Sequence, residues 1–277
     1  MKKLLSIILI TIFSISLISC SKRYHYDETK INITTTTNIM ADLATQIGKE
    51  RVNVFSLMGA GVDPHQYIAR PNDYNALNKA DFILVSGLHL EGKMSTIFDN
   101  YQQTTNKTVL SVGNSILDNS SKEITNRLIV NSDLGNNYDP HFWFDIPLYQ
   151  EASRYVLESL IAYEPASKEY FTTNYNDYVV ELNKLELEVT RLLEVIPYDE
   201  RYLISAHDAF EYFGNEHGFE VYALQGLSTE DQVSPSDVKE IVNLVVENKV
   251  KAIFPEHSVP NETIKSVSEE VNKKGHN

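Results

Sequence analysis

The sequence predicts an α/β fold in which two βα lobes with mostly parallel sheets are joined by one long rigid helix. Residues 30–164 and 198–277 each alternate short β-branched runs with helical patterns. Such alternation is typical of βαβ units and parallel sheets. Between these two stretches, residues 165–197 carry an uninterrupted apolar stripe with helical spacing, which predicts the joining helix.

The first lobe is predicted to contain four strands, each marked by a run of β-branched or apolar residues. Asn38 follows the first strand and is predicted to cap a helix that extends through Ile47. Pro71 is predicted to begin a short helix, since proline suits a first helical turn. Residues 113–139 are rich in Asn, Asp and Ser and are predicted to be a loop with one short strand, before a helix over 147–163. The four predicted strands lie at residues 31–37, 52–58, 82–85 and 108–112.

The joining helix is predicted from apolar residues that recur with alternating spacings of four and three. Pro165 and Pro197 bracket the pattern, one at a permitted start and one as a stop. Residues 165–196 would form a helix about 48 Å long at ~1.5 Å per residue. A coiled-coil dimer is the alternative, but the few heptads and the aromatic residues favour a strut packed along both lobes. The stripe consists of Phe171, Tyr175, Tyr178, Leu182, Leu185, Val189, Leu192 and Ile196.

The second lobe repeats the strand–helix rhythm after Pro197. Its predicted strands lie at residues 202–205, 219–224 and 251–255, and its predicted helices at 207–216, 235–248 and 260–274. The lobe has about 80 residues, against well over 100 before the joining helix. The two lobes are therefore expected to be unequal.

The N-terminus predicts export and lipid anchoring. Lys2 and Lys3 precede an apolar run over residues 4–18, which is the pattern of a signal peptide over residues 1–19 and is too short for a spanning helix. The run ends in Leu-Ile-Ser-Cys20, which resembles a bacterial lipobox in which the cysteine becomes the lipidated first residue. An ordinary signal peptide that happens to contain a cysteine is the alternative. Residues 20–29 are polar and are predicted to be a tether that holds the protein at the cell membrane, facing the periplasm or the cell exterior.

The composition limits the classes of partner and of stabilising bond. Without residues 1–19, the chain would have 22 basic and 38 acidic residues, a formal charge of −16. Such an acidic surface argues against nucleic acid as a partner. Cys20 is the only cysteine, so the fold is expected to depend on its core and on a ligand rather than on disulfides. No phosphate-binding glycine loop, nucleophile elbow or His-Glu-x-x-His zinc motif is present.

Three histidines follow strands at the positions where open α/β sheets bind ligands. His65 and His141 each end an Asp-Pro-His tripeptide, and His207 follows the first strand of the second lobe. Imidazole is a common ligand for zinc, manganese, iron and copper. Spacing alone leaves two interpretations open, a metal site between the lobes and three structural histidines. Glu256 follows a further strand and is a candidate for holding a ligand imidazole in one tautomer.

The motifs around these histidines resemble those of the TroA-like cluster A-I solute-binding proteins, which are zinc and manganese receptors of ABC importers. The matching segments are Gly-Val-Asp-Pro-His65-Gln-Tyr, Asp-Pro-His141-Phe-Trp-Phe-Asp, Ser-Ala-His207-Asp-Ala-Phe-Glu-Tyr-Phe, Leu224-Gln-Gly-Leu-Ser-Thr and Ala252-Ile-Phe-Pro-Glu. The resemblance covers nearly all of the chain after residue 19, in order. It implies two lobes joined by one helix, with the metal between them.

The resemblance also implies the ligands, the cargo and the partner. The cargo is expected to be one divalent metal ion, zinc or manganese, held by His65, His141 and His207. An Asp on a loop after a further strand is the implied fourth ligand, and the sequence ends before that point, so the second lobe is expected to be incomplete. The protein is expected to be a monomer without catalytic activity that serves an ABC permease. A metal-dependent hydrolase with an open three-histidine site and a surface adhesin are the alternatives.

Overall fold

The computed structural model describes residues 24–105, 107–131, 137–229 and 232–276. The predicted signal peptide, Cys20 and the start of the predicted tether lie outside these residues. Across the described ranges, no helix combines the length and the apolar character needed to cross a bilayer.

A parallel sheet with the strand order β2-β1-β3-β4 lies at the centre of the first lobe. Strands β1 and β3 are buried along their whole length, which explains why they appear in the sequence as continuous β-branched and apolar runs. Thr37, rather than the predicted Asn38, caps the first helix, because its hydroxyl accepts a hydrogen bond from the Met40 amide at 3.3 Å. The strands are β1 (Ile31–Thr35), β2 (Val52–Ser56), β3 (Phe82–Val85) and β4 (Thr108–Ser111).

Helices cover the sheet of the first lobe and extend into the region predicted to be a loop. Residues 112–125 contain two short helices, and Val130–Asn131 pairs antiparallel with Asn137–Tyr138. The loop prediction is therefore wrong here, because Val112 and Ile116 bury one face of a short amphipathic helix among otherwise polar residues. The elements are α1 (Asn38–Gly48), α2 (Pro71–Lys79), α3 (Ser95–Thr104), α4 (Val112–Asn119), α5 (Lys122–Thr125), β5 (Val130–Asn131), β6 (Asn137–Tyr138) and α6 (Ile146–Tyr163).

The predicted joining helix is present as α7 (Lys168–Leu193), 26 residues long, after a 3-10 turn at Pro165–Ser167. Its first half packs against α1 and α6 of the first lobe. Phe171 and Leu182 are buried in the same apolar cluster as these two helices. Tyr178 joins that cluster and donates a hydrogen bond from its hydroxyl to the Asp42 carboxylate at 3.0 Å. The first half of the stripe thus belongs to the first lobe.

The second half of the stripe does not pack as predicted. Leu185 is 48% exposed and Leu192 is 53% exposed, although both continue the stripe of Leu182. The prediction that the helix packs along both lobes is therefore wrong for this half. An apolar groove lies where the end of the helix meets the second lobe, and Ile196 and Phe213 are among the residues that line it.

The second lobe is built on the parallel pair β7 (Tyr202–His207) and β8 (Glu220–Gln225). The predicted strand at 251–255 is reduced to a single bridge, in which the Phe254 amide donates to the Ile204 carbonyl at 2.8 Å. The helix predicted to begin at 207 begins four residues later, because β7 continues through His207. The helices of this lobe are α8 (Glu211–His217), α9 (Pro235–Glu247) and α10 (Glu262–Lys273).

Helix α8 of the second lobe packs against the first lobe. Its Tyr212 is 1% exposed and lies within the apolar cluster of the first lobe. The Tyr212 hydroxyl donates to the Asp139 carbonyl at 2.8 Å and accepts from the Ile129 amide at 3.2 Å. One turn later, Glu216 pairs with Arg127 of the first lobe at 2.5 Å. One side of the interface between the lobes is therefore held by a buried ring and an ion pair.

Candidate metal centre

The three predicted histidines meet in the cleft between the lobes. His65 lies in the long loop between β2 and α2, and His141 lies in the turn that follows β6. His207 is the last residue of β7 in the other lobe. All three are buried, with 6%, 2% and 7% of their surfaces exposed. Two loops of the first lobe and the end of a strand of the second lobe thus bring the three side chains together.

The ring nitrogens are spaced closely enough to share one ion. The Nε2 atoms of His65 and His141 are 3.3 Å apart. Nitrogens bound at about 2.0–2.1 Å to one tetrahedral ion are roughly 3.3 Å apart. The His207 ring centroid lies 5.9 Å from that of His65 and 5.4 Å from that of His141. One nitrogen from each ring lies within 4.8 Å of the others.

Burial keeps two of the imidazoles in their neutral form. Burial, together with repulsion from the neighbouring His141, lowers the pKa of His65 to about 3, because two imidazolium ions would repel each other. Burial likewise lowers the pKa of His141 to about 3, with His207 as the next cause. Both rings therefore keep a lone pair available at neutral pH, which is the form that binds metals.

Asp139 orients the ring of His141. One of its carboxylate oxygens lies 2.8 Å from His141 Nδ1 and accepts the His141 amide, also at 2.8 Å. A proton held on Nδ1 leaves the lone pair on Nε2, which faces the other two rings. Burial raises the pKa of Asp139 to about 7. Asp139 was not predicted as a site residue, although its place two residues before a candidate ligand was a signal.

Glu256 occupies the corresponding place beside the histidine of the second lobe. Its Oε2 lies 2.6 Å from His207 Nδ1, and its Oε1 accepts the amides of Ala206 and His207 at 3.0 and 2.9 Å. Burial raises the pKa of Glu256, but the hydrogen bond and the charge of His207 outweigh burial, so the pKa is lowered overall. The carboxylate is therefore ionised at neutral pH and lies beside the ring of His207.

A third carboxylate supports the loop that carries His65. Asp63 accepts the His65 amide at 2.9 Å through one oxygen. Its other oxygen accepts the Thr229 hydroxyl of the second lobe at 2.7 Å. Neither contact was predicted from the sequence. Each of the three histidines thus has a carboxylate close by, although Asp63 contacts the backbone of its histidine rather than the ring.

The three rings border a cavity of about 230 Å³ whose wall is mainly apolar. The Trp143 ring lies edge-on to the His141 ring, with centroids 5.2 Å apart. Phe144 of the first lobe and Phe210 of the second pack against each other, with ring centroids 4.9 Å apart. Both also line the cavity. An apolar wall strengthens electrostatic interactions with an ion because it excludes water.

Comparisons with known proteins give the context of this site. Residues 33–276 match the ZnuA family, described as the periplasmic component A of a zinc-uptake complex. The manganese-binding lipoprotein MntA of Bacillus subtilis is 38% identical over 247 residues, which are 89% of this chain and 78% of that protein. The zinc-binding protein TroA of Treponema pallidum is 36% identical over 244 residues, which are 88% of this chain and 76% of that protein.

Solved structures agree with the sequence comparisons. The periplasmic zinc-binding protein TroA from Treponema pallidum superposes with a TM-score of 0.82 at 35% identity, covering 89% of this chain and 85% of that one. The Fe(III)-bound YtgA from Chlamydia trachomatis superposes with a TM-score of 0.76 at 24% identity, covering 87% and 85%. At that identity, the likeness to YtgA concerns the fold alone.

Proposed function

The chain belongs to the ZnuA family of periplasmic zinc-uptake components, and we propose that it is a metal receptor of an ABC importer. In this proposal it binds one divalent ion, zinc or manganese, between its lobes and delivers the ion to the permease. The observation that carries the proposal is the cluster of three buried histidines, whose ring nitrogens lie within 4.8 Å of one another.

We propose His65, His141 and His207 as the metal ligands. Neutral imidazole suits zinc among the first-row metals. Asp139 and Glu256 would fix the tautomers of two of these rings and increase their basicity. The relatives support either metal, since MntA is named as manganese-binding and TroA as zinc-binding.

We further propose that the mature protein begins at Cys20, which carries the lipid anchor, with residues 20–29 as a tether. The lobes would comprise residues 30–164 and 198–277, with 165–197 as the backbone helix. Relatives named as lipoproteins support the anchoring. The acidic charge supports the absence of nucleic acid among the partners. In this proposal the protein acts as a monomer and without catalysis, and the names of its relatives do not favour the hydrolase and adhesin alternatives.

The proposed function is tested by calorimetric titration of zinc and of manganese into the purified, metal-stripped protein. We expect one-to-one binding of at least one metal with a Kd well below about 1 µM, which corresponds to about −8 kcal/mol. Absence of binding by both metals would contradict the proposal. So would turnover of ester or phosphoester substrates by the metal-loaded protein, which would favour the hydrolase.

The substitution Glu256→Gln is expected to weaken metal binding by about 10- to 100-fold, the usual cost of losing a partner of a metal ligand. Glutamine keeps the size of the side chain and one acceptor oxygen for the two backbone amides. It removes the negative charge that favours a proton on His207 Nδ1. The measurement is the same titration, with Glu247→Gln, an exposed residue at the end of α9, as the control. Equal affinities for Glu256→Gln and the unmodified protein would show that the carboxylate does not tune the ligand.

A further inference from the structure

The loop that carries His65 is attached to the second lobe as well as to its own. Gly61 has a φ of 75°, and a Cβ built on it would lie 3.4 Å from the His257 carbonyl oxygen of the second lobe. Two residues later, Asp63 accepts the Thr229 hydroxyl at 2.7 Å. The same carboxylate accepts the His65 amide at 2.9 Å. The position of the histidine is therefore linked, through one side chain, to the opposite lobe.

Thr229 adopts a backbone conformation that is rare for its residue type. Its φ is 53°, in the left-handed region that β-branched residues seldom enter. Its amide donates to the Gly226 carbonyl at 3.3 Å, and Leu227 between them is 4% exposed, which anchors this turn in the second lobe. Strained residues of this kind persist where their surroundings hold them, and they are concentrated at binding sites and switches. The hydroxyl contact with Asp63 is such a restraint.

The two sides of the interface between the lobes are held unequally. On the side of α8, Tyr212 is buried in the core of the first lobe, and Glu216 pairs with Arg127. On the side of the His65 loop, a hydroxyl–carboxylate hydrogen bond joins Asp63 to a turn of irregular backbone. A single partly buried hydrogen bond separates more readily than a buried ring. Opening of the cleft would therefore pivot near α8 and separate the lobes at Asp63 and Thr229.

We propose that the Asp63–Thr229 hydrogen bond is a latch between the lobes that positions His65 and slows the release of bound metal. This inference rests on the proposed function of metal capture. Asp63 and Thr229 act here as positioning residues, since they reach the ion only through the backbone of His65. When the latch opens, Asp63 and His65 move together, and the distance between His65 and His207 increases. The metal then keeps fewer ligands and dissociates faster.

The test is a stopped-flow measurement of metal release into excess chelator. Thr229→Val keeps the shape and the β-branch of the residue and removes only the donor, and we expect release to become about tenfold faster, as for the loss of one hydrogen bond to a charged group. Thr229→Ser restores the hydroxyl and is expected to restore slow release. Thr173→Val is the control, because it also removes a local threonine hydrogen bond, at an exposed position on α7. Equal rates for Thr229→Val and the unmodified protein would overturn the latch.

A double-mutant cycle with Asp63→Ala separates the latch from a general effect of either residue. If the two side chains act through their shared hydrogen bond, Thr229→Val adds little on the Asp63→Ala background. Two independent, additive accelerations would overturn the proposal, and so would equally fast release from Thr229→Val and Thr229→Ser.

The latch can also be tested without metal, which distinguishes its failure from a failure of the proposed function. The His65 amide is donated to Asp63, so its hydrogen exchange in the metal-free protein should be faster in Thr229→Val than in the unmodified protein or Thr173→Val. Unchanged exchange would overturn the latch. A chain that binds no metal but shows faster exchange would overturn the receptor function and the latch's role in metal release, while leaving the structural link between Thr229 and His65 supported.

Discussion

His141→Ala is expected to reduce the affinity for both zinc and manganese by more than 100-fold. Removing a residue that hydrogen-bonds to a metal ligand typically lowers metal affinity by about 10- to 100-fold. Removing the ligand itself should lower the affinity more. His141 is the most deeply buried of the three histidines and lies about equally far from the other two, with ring centroids 5.4 Å apart in each case. Among the described residues, the group that could hold a metal ion here consists of His65, His141 and His207, so no further member of it could replace the lost imidazole.

The measurement is calorimetric titration of the metal-stripped variant, accompanied by its thermal unfolding. His217→Ala is the matched control, because it removes a histidine from α8 that lies outside the cluster. The metal-free His141→Ala protein should still unfold cooperatively, so that lost affinity can be assigned to the lost ligand. Undiminished affinity in a folded His141→Ala protein would contradict the proposed site.

The centre of the sheet of the first lobe could be predicted because its two central strands, β1 and β3, are buried on both faces. Burial of this kind selects continuous β-branched and apolar runs, and β1 and β3 are buried throughout. The ends of the strands could not be predicted equally well. Leu57 and Met58 continue the apolar run of β2, and their amides donate to the Thr35 and Thr36 carbonyls, but the paired register of the two strands ends at Thr35 and Ser56. Hydrophobicity records burial, whereas the end of a strand depends on pairing with its neighbour.

The site was predictable to the extent that it depends on local chemistry. Both Asp-Pro-His tripeptides form the same local turn, in which the histidine amide donates to the aspartate two residues earlier, at 2.9 and 2.8 Å. The further contacts differ, since Asp139 reaches the ring of its histidine and Asp63 reaches Thr229 of the other lobe. The same tripeptide thus serves two roles, and the choice between them depends on tertiary contacts that sequence spacing does not contain.

The joining helix shows a similar limit, because a regular stripe predicts a helix but not how much of its length is covered. Leu182 and Leu185 are neighbours on the stripe, yet Leu182 is 5% exposed and Leu185 is 48% exposed. The pattern is continuous through both residues, while the first lobe covers only one of them. Burial depends on where α1 and α6 end, and this is a property of the assembled lobe rather than of the helix.

The difference in burial between Leu182 and Leu185 predicts that the same substitution will destabilise the protein strongly at one position and only slightly at the other, one turn away. Leu182→Ala should lower the free energy of unfolding by about 2–5 kcal/mol, because it removes buried methyl groups and leaves a cavity against the first lobe. Leu185→Ala should cost less than about 1 kcal/mol, as for a largely exposed position. The measurement is denaturant unfolding of both metal-free variants. A large cost at Leu185 as well would show that the second half of α7 is covered in solution by the second lobe or by another chain, whereas a small cost at both positions would contradict the packing of α7 against α1 and α6.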